Sequence, residues 1–228
     1  MIEYLFLDLD DTILDFKKAE YIAVGKTIAD FGVDPTDEIR HRYHVINKWH
    51  WEQLELGKMT RAEVLENRFK ALFAELNVEV DAAQVARTYE KNLGTGHWFL
   101  PGAEEAVDSL HKKYRLFLAS NGTASVQKGR MTSANLYRFF EIVFVSQEIG
   151  YNKPSKEYFD ICFSRIPGFD PAKCVMVGDS LTSDIRGGIN AGIRTVWVNP
   201  THAPGRPDIV PDYEIEGIHQ LEALLETM

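Results

Sequence analysis

Tyr4-Leu5-Phe6-Leu7-Asp8-Leu9-Asp10-Asp11-Thr12 (YLFLDLDDT) carries the decisive pattern of this chain: an unbroken apolar run that ends abruptly in acid. A short, nearly continuous apolar run from Tyr4 to Leu9 suits a strand buried on both faces of a parallel sheet rather than one with a wet face. Residues two apart on a strand point to the same side, so Asp8 and Asp10 can face one cleft together. Two close carboxylates repel each other unless a cation lies between them or one is protonated. The pair therefore indicates a divalent-metal site or an acid/base partnership. Taken alone, a cap or turn role for Asp10 and Asp11 explains it as well.

Comparable strand-like runs recur at Arg115–Ser120 (RLFLAS), Ile142–Ser146 (IVFVS), Cys174–Asp179 (CVMVGD) and Thr195–Asn199 (TVWVN). Helical segments are expected at Ala103–Lys113, Ala124–Leu136, Lys156–Arg165, Ser183–Ala191 and His219–Thr227. This alternation predicts an α/β fold with an open parallel sheet, its right-handed crossovers placing helices on both faces. The stretch from Asp15 to His97 holds no convincing strand. It offers four helices instead, near Lys17–Phe31, Pro35–Leu56, Arg61–Leu76 and Ala82–Leu93. Asp34-Pro35, Thr60 with Glu63, and Asp81 are start signals; Gly32, Gly57 and Gly94 are stop signals. The expected organisation is a sheet domain of residues 1–14 and 98–228 with a helical domain, 15–97, inserted after the first strand. The plainer alternative is that these helices merely cover the sheet.

Composition narrows the classes of partner. The chain has 228 residues, 45% hydrophobic, and its 25 Lys and Arg against 34 Asp and Glu give a net charge of −9. Such a field does not favour a nucleic-acid polymer or an anionic membrane surface, although one phosphate can still be held by a locally positive site. Cys162 and Cys174 lie in apolar runs without metal-ligand spacing, which fits buried thiols in a reducing compartment. The N-terminus lacks a basic segment, and no apolar stretch approaches the ~20 residues of a membrane helix. A cytoplasmic protein is expected.

Three further polar clusters stand at or beyond strand ends, where open α/β sheets bind ligands. Ser120-Asn121-Gly122 combines a hydroxyl, a carboxamide and a glycine that lets backbone N–H groups approach an anion, yet it also reads as a turn. Lys153, in Asn152-Lys153-Pro154-Ser155, precedes an expected helix and alone would pass for a solvated surface lysine. Gly178-Asp179-Ser180-Leu181-Thr182-Ser183-Asp184 adds two acids, of which Asp184 could simply serve the first turn of the next helix. Their joint occurrence, in this order, makes coincidence a poor explanation.

The order DLDDT, SNG, the lysine of NKPS, and GDSLTSD resembles the four motifs of the haloacid dehalogenase (HAD) superfamily. The resemblance implies a Rossmann-like sheet with a helical cap inserted after the first motif. It also implies Asp8 as nucleophile, Asp10 as general acid/base and Lys153 as the cation that neutralises Asp8 and the transferring phosphoryl group. Ser120, Asn121 and Gly122 would hold phosphate oxygens. Mg²⁺ would be bound by Asp8, the main-chain carbonyl of Asp10 and Asp179, with Asp184 reaching the ion through water or orienting its ligands. The second acid of the first motif is absent from the dehalogenase branch and present here as Asp10, which favours phosphoryl chemistry. The pump branch would need membrane helices, and a sugar-phosphate mutase would use the same Asp pair.

At a finer level VINKWHWEQLELGKMT, with Arg68-Phe69 following, and VMVGDSLTSDIRGGINAG with TVWVN are similar to the bacterial noncanonical pyrimidine nucleotidases. That similarity implies hydrolysis of a small phosphorylated metabolite, a pyrimidine nucleoside monophosphate such as UMP, dUMP or dTMP. Phosphoglycolate and sugar phosphates are the alternative substrates, and a catalytically silent binding protein is the alternative class. Substrate choice should lie in the inserted helices, where Phe16, Asn47, Trp49 and Trp51 are the candidate contacts. Trp49, His50 and Trp51 cannot all face one side of a helix, so some must be exposed or line the cleft.

Overall fold

The computed structural model describes all 228 residues. A six-stranded parallel sheet runs β3-β2-β1-β4-β5-β6, built from β1 (Tyr4–Leu7), β2 (Arg115–Ser120), β3 (Ile142–Val145), β4 (Cys174–Gly178), β5 (Arg194–Val198) and β6 (Tyr213–Ile215). Strand order reverses at β1, whose Leu5 pairs with Leu116 of β2 on one side and Val175 of β4 on the other. The carboxyl ends of β1, β2 and β4 thus meet at the switch point, where such sheets open a crevice.

Alternation along β1 explains the central position. Leu5 and Leu7 enter one core with Val175 and Val177, while Tyr4 and Phe6 enter the opposite one with Phe117, Phe144 and Phe159. All four side chains of β1 are buried, each contributing about 1.5–3 kcal/mol of transfer free energy. No polar residue could replace one of them cheaply.

Between β1 and β2 lie four helices, α1 (Phe16–Asp30), α2 (Asp37–Glu55), α3 (Arg61–Glu75) and α4 (Ala82–Leu93). Two of the three expected start signals, Thr60 with Glu63 and Asp81, cap their helices, whereas Asp34-Pro35 lies ahead of the actual cap of α2, Thr36, whose hydroxyl accepts from the Ile39 N–H. The Asp15 carboxylate accepts from the Lys18 N–H, Thr60 and Glu63 form a reciprocal capping box, and Asp81 accepts from Ala83 and Gln84. The four helices enclose a core of their own around Tyr43, Phe69 and Tyr89, whose ring centroids lie 5.1–5.4 Å apart. Val126 of α6 (Ala124–Ser133) also joins that core. The remaining helices are α5 (Ala103–Leu110), α7 (Ser146–Ile149), α8 (Lys156–Ser164), α9 (Arg186–Ala191) and α10 (Leu221–Leu225).

The structure departs from the sequence expectations at several ends. β6 was not expected; it is a three-residue edge strand with two exposed residues, too short and polar to show as an apolar run. Ser146 opens α7 instead of closing β3. The acid-rich end of the first run, Asp8 to Asp10, lies past β1 because the chain turns there, with Asp11 in the left-handed region at φ 57°. The segment before α9 is a wide helical turn from Leu181 to Ile185, and α10 spans only Leu221–Leu225 after a single tight turn. No helix is long and apolar enough to cross a membrane.

Candidate active site

The turn after β1 is held by its own acids. Asp11 accepts from the N–H groups of Phe16 and Lys17, which begins α1 directly above the strand end. Asp8 continues the sheet ladder, its N–H donating to the Val177 carbonyl at 2.9 Å. Its carboxylate lies in the buried space at the carboxyl ends of β1, β2 and β4, where the Lys153 ammonium meets it.

Lys153 occupies the centre of that space with 1% of its side chain exposed, and its ammonium donates to Asp8 Oδ1, Asp184 Oδ1 and the Ala119 carbonyl at 2.5–2.6 Å. All three donors of the ammonium are committed. Burial alone would lower the Lys153 pKa, but the Asp184 and Asp8 carboxylates outweigh it and hold the amine above its usual range. Asp184 comes this close because residue 178 is glycine; any side chain there would run into the Asp184 carboxylate. The Ser180 N–H completes the clasp by donating to Asp184 Oδ2 at 3.1 Å.

Asp179 faces the same point. Carboxylate oxygens of Asp8, Asp179 and Asp184 lie within 4.8 Å of one another. Burial first, and then the neighbouring carboxylates, raise the pKa of Asp8 and of Asp179. One ammonium does not offset three acids, and a divalent cation among these oxygens would relieve the remainder. The donor set, all carboxylate oxygen, fits a hard ion.

Across the cleft, Ser120 Oγ accepts from the Gly122 N–H and from Gln127 Nε2. The Asn121 carboxamide is committed to the lysine loop. Its amide donates to the Lys153 carbonyl and Ser183 Oγ, and its oxygen accepts from the Lys153 N–H. It brackets the lysine loop, which leaves its side chain no free group for a phosphate. Asp10 lies beside this loop, with Gln127 Nε2 on Oδ2 at 2.7 Å and the Arg130 guanidinium on Oδ1.

Above these groups is a cavity of about 370 Å³ roofed by the inserted helices. Phe16, Asn47 and Trp51 line it; Trp49 does not, being half exposed with its ring edge-on to His50. His50 is buried against the Ile46 carbonyl. Asn47 is fixed between Glu20 and Arg68, donating to the former at 2.6 Å and accepting from the latter at 2.9 Å. Glu20 also pairs with His44, and this hydrogen bond, partly opposed by burial, raises the His44 pKa above its ordinary 6.5. The charged imidazole is favoured only in the fold, so the pair contributes stability below about pH 6.5 and loses it as pH rises through the raised value. A His44→Gln variant should therefore melt below the parent at about pH 6 and match it in alkali. Equal melting temperatures at both pH values would refute the pairing.

Two side chains tie roof to floor. Arg61 at the start of α3 donates to the carbonyls of Asn121 and Gly122, to Ser146 Oγ and to Asn152 Oδ1, at 2.6–3.2 Å. Glu55 accepts from the Thr182 hydroxyl at 2.7 Å, and burial pushes its pKa up to about 7. Neither was singled out from sequence, because a lone charge at a helix end reads as solvated.

The haloacid dehalogenase-like hydrolase family matches residues 4–198 of this chain. The chain belongs to that family. This hydrolase is 40% identical over 221 residues to the HAD-hydrolase YfnB of Bacillus subtilis (strain 168), covering 97% of this chain and 94% of YfnB. The crystal structure of YfnB bound to magnesium, which reveals interdomain movement, superposes with a TM-score of 0.94 at 39% identity and covers 98% of each chain. The pyrimidine 5′-nucleotidase PynA of Streptococcus pneumoniae (strain ATCC BAA-255 / R6) is 36% identical over 96% of this chain and 93% of its own. The pyrimidine 5′-nucleotidase YjjG of Escherichia coli (strain K12) is 29% identical over 98% and 97%. The six parallel strands and the inserted helices are those of the family fold.

Proposed function

We propose that this hydrolase is a magnesium-dependent phosphatase of pyrimidine nucleoside 5′-monophosphates, acting through an aspartyl-phosphate on Asp8. The observation that carries the reading is the buried Lys153 gripping Asp8 and Asp184 on the floor of a cavity whose roof presents Asn47, Trp51 and Arg68. The volume lies in the range of small-molecule sites, and two relatives named pyrimidine 5′-nucleotidases support the substrate class.

Asp8 uses only Oδ1 for Lys153, which leaves Oδ2 to attack phosphorus in line with the ester oxygen. As the new O–P bond forms and the ester P–O bond breaks, Asp10 gives its proton to the leaving nucleoside oxygen. The resulting Asp10 carboxylate then takes a proton from water, whose oxygen attacks the aspartyl-phosphate and frees Asp8 and phosphate. Lys153 holds Asp8 in place and offsets charge on the transferring group. Ser120 and the adjoining backbone N–H groups would hold phosphate oxygens. Asp8, Asp179, Asp184 and the Asp10 carbonyl would hold Mg²⁺, which when bound supplies positive charge to the phosphoryl oxygens.

A panel of esters tests the substrate class. UMP, dUMP and dTMP should show kcat/KM at least about tenfold above phosphoglycolate and sugar phosphates, since groups that hydrogen-bond a substrate discriminate strongly against analogues lacking the partner. Equal rates across the panel would overturn the nucleotide reading and leave the phosphatase intact.

A further inference from the structure

Arg130 is a cation fully shut off from solvent, and its partners are not those of an ordinary core residue. Its Nη1 donates to Asp10 Oδ1 and, at 3.4 Å, to Gln127 Oε1, while its Nε donates to the Gly96 carbonyl at 2.9 Å. The Phe16 ring lies 5.7 Å from the guanidinium carbon. Phe16 begins α1 and Gly96 follows α4, so this one guanidinium touches both chain crossings between the sheet and the inserted helices. Nη2 is buried without a partner, an arrangement that natural cores rarely keep without a use.

Gln127 sits one turn earlier on α6 and therefore on the same face. Its amide bridges Ser120 Oγ and Asp10 Oδ2, both at 2.7 Å. Each oxygen of Asp10 is thus fixed by a separate residue of α6. That helix is itself pressed against the exit crossing: at Gly129 a Cβ would lie 2.5 Å from the Gly94 carbonyl oxygen, which leaves room only for glycine.

We propose that Gln127 and Arg130 are positioning residues that set the orientation of Asp10 for proton transfer, with Arg130 tying that orientation to the Gly96 crossing. The inference rests on Asp10 as the general acid/base. A planar fork suits the task, because it reaches a carboxylate and a carbonyl at once from one rigid group. A lysine at 130 could reach either partner but would not hold both in fixed relation.

The test separates proton transfer from everything else. A nucleoside oxygen needs a proton to leave; nitrophenolate, the anion of an acidic phenol, does not. With p-nitrophenyl phosphate, breaking the ester bond therefore needs no acid, whereas hydrolysis of the aspartyl-phosphate still needs Asp10 as base. In Arg130→Met and Gln127→Met, steady-state kcat for UMP should fall about 10²-fold with KM little changed. Stopped-flow mixing with p-nitrophenyl phosphate should show a burst of one nitrophenolate per site followed by slow turnover. Asp10→Asn should behave the same way with a larger loss, and Arg130→Lys should remain defective.

Variants of α6 that lose burst and turnover together, or that keep full turnover on UMP, would overturn the positioning role. So would full recovery in Arg130→Lys for the link to Gly96. If Asp10→Asn itself hydrolyses UMP at the parent rate, the acid/base assignment fails instead, and the two failures are distinct. Should Arg130→Met not fold by circular dichroism, Gln127→Met decides, since it removes only the bonds to Ser120, Asp10 and Arg130.

Discussion

Asp8→Asn is expected to lower phosphate release from every ester by about 10⁴-fold or more. The amide has the shape of the carboxylate and can still accept from Lys153, so the fold should persist while the attacking oxygen loses its charge. Circular dichroism should match the parent. Acid quenching during turnover of a labelled ester should leave label on the parent protein and none on the variant. Unchanged hydrolysis by a folded Asp8→Asn protein would remove the nucleophile from the mechanism.

Lys153→Met is expected to damage the fold as well as the activity. Its ammonium is the group that faces Asp8 and Asp184 in the buried space at the carboxyl ends of the central strands. Without it those carboxylates are left uncompensated, a loss of about 3–5 kcal/mol that lowers the melting temperature by roughly 6–20 °C in metal-free buffer. Buried acids lacking a partner have raised pKa values, so the deficit should be small in acid and grow as pH rises through them. Magnesium should recover part of the loss, because a cation among Asp8, Asp179 and Asp184 restores positive charge where the ammonium was. Thermal melts with and without magnesium measure both effects. A melting temperature equal to the parent without metal would contradict the central place given to Lys153.

The central strands were legible because a parallel strand covered on both faces carries no polar interruption, as in Tyr4–Leu7 and Cys174–Gly178. The edge strand Tyr213–Ile215 lacks that mark. Helix starts were legible where the capping side chain was itself the signal, as at Thr60 and Asp81, whereas α1 and α2 are capped by Asp15 and Thr36, neither of which stood out from its neighbours. Asp8, Lys153, Asp179 and Asp184 stand at or near strand ends, and the structure brings them to one point. What stayed hidden depends on distance across the fold. Arg61 meets Asn121 and Asn152, and Arg130 meets Asp10 and Gly96, through contacts that no local spacing encodes. The only local trace is Gln127 and Arg130 three residues apart on α6, soon after Ser120-Asn121-Gly122. Trp49 shows the converse: a large aromatic in a suggestive run that the helix turns outward.

The position of β1 bears on how the chain is made. It precedes its neighbours in the sheet by a long stretch of chain, for these start at Arg115 and Cys174. At ordinary elongation rates it waits roughly 5–20 s for β2. Throughout that interval a naked, two-sided apolar segment is available to other nascent chains, the usual seed of aggregation. Only the inserted helices, which have a core of their own, can pack meanwhile. Asp8, Asp10 and Asp11 adjoin the segment directly, and charge at the flank of an apolar strand discourages intermolecular pairing. Acid at these positions thus has a consequence for the unfolded chain that is separate from anything it does in the folded site.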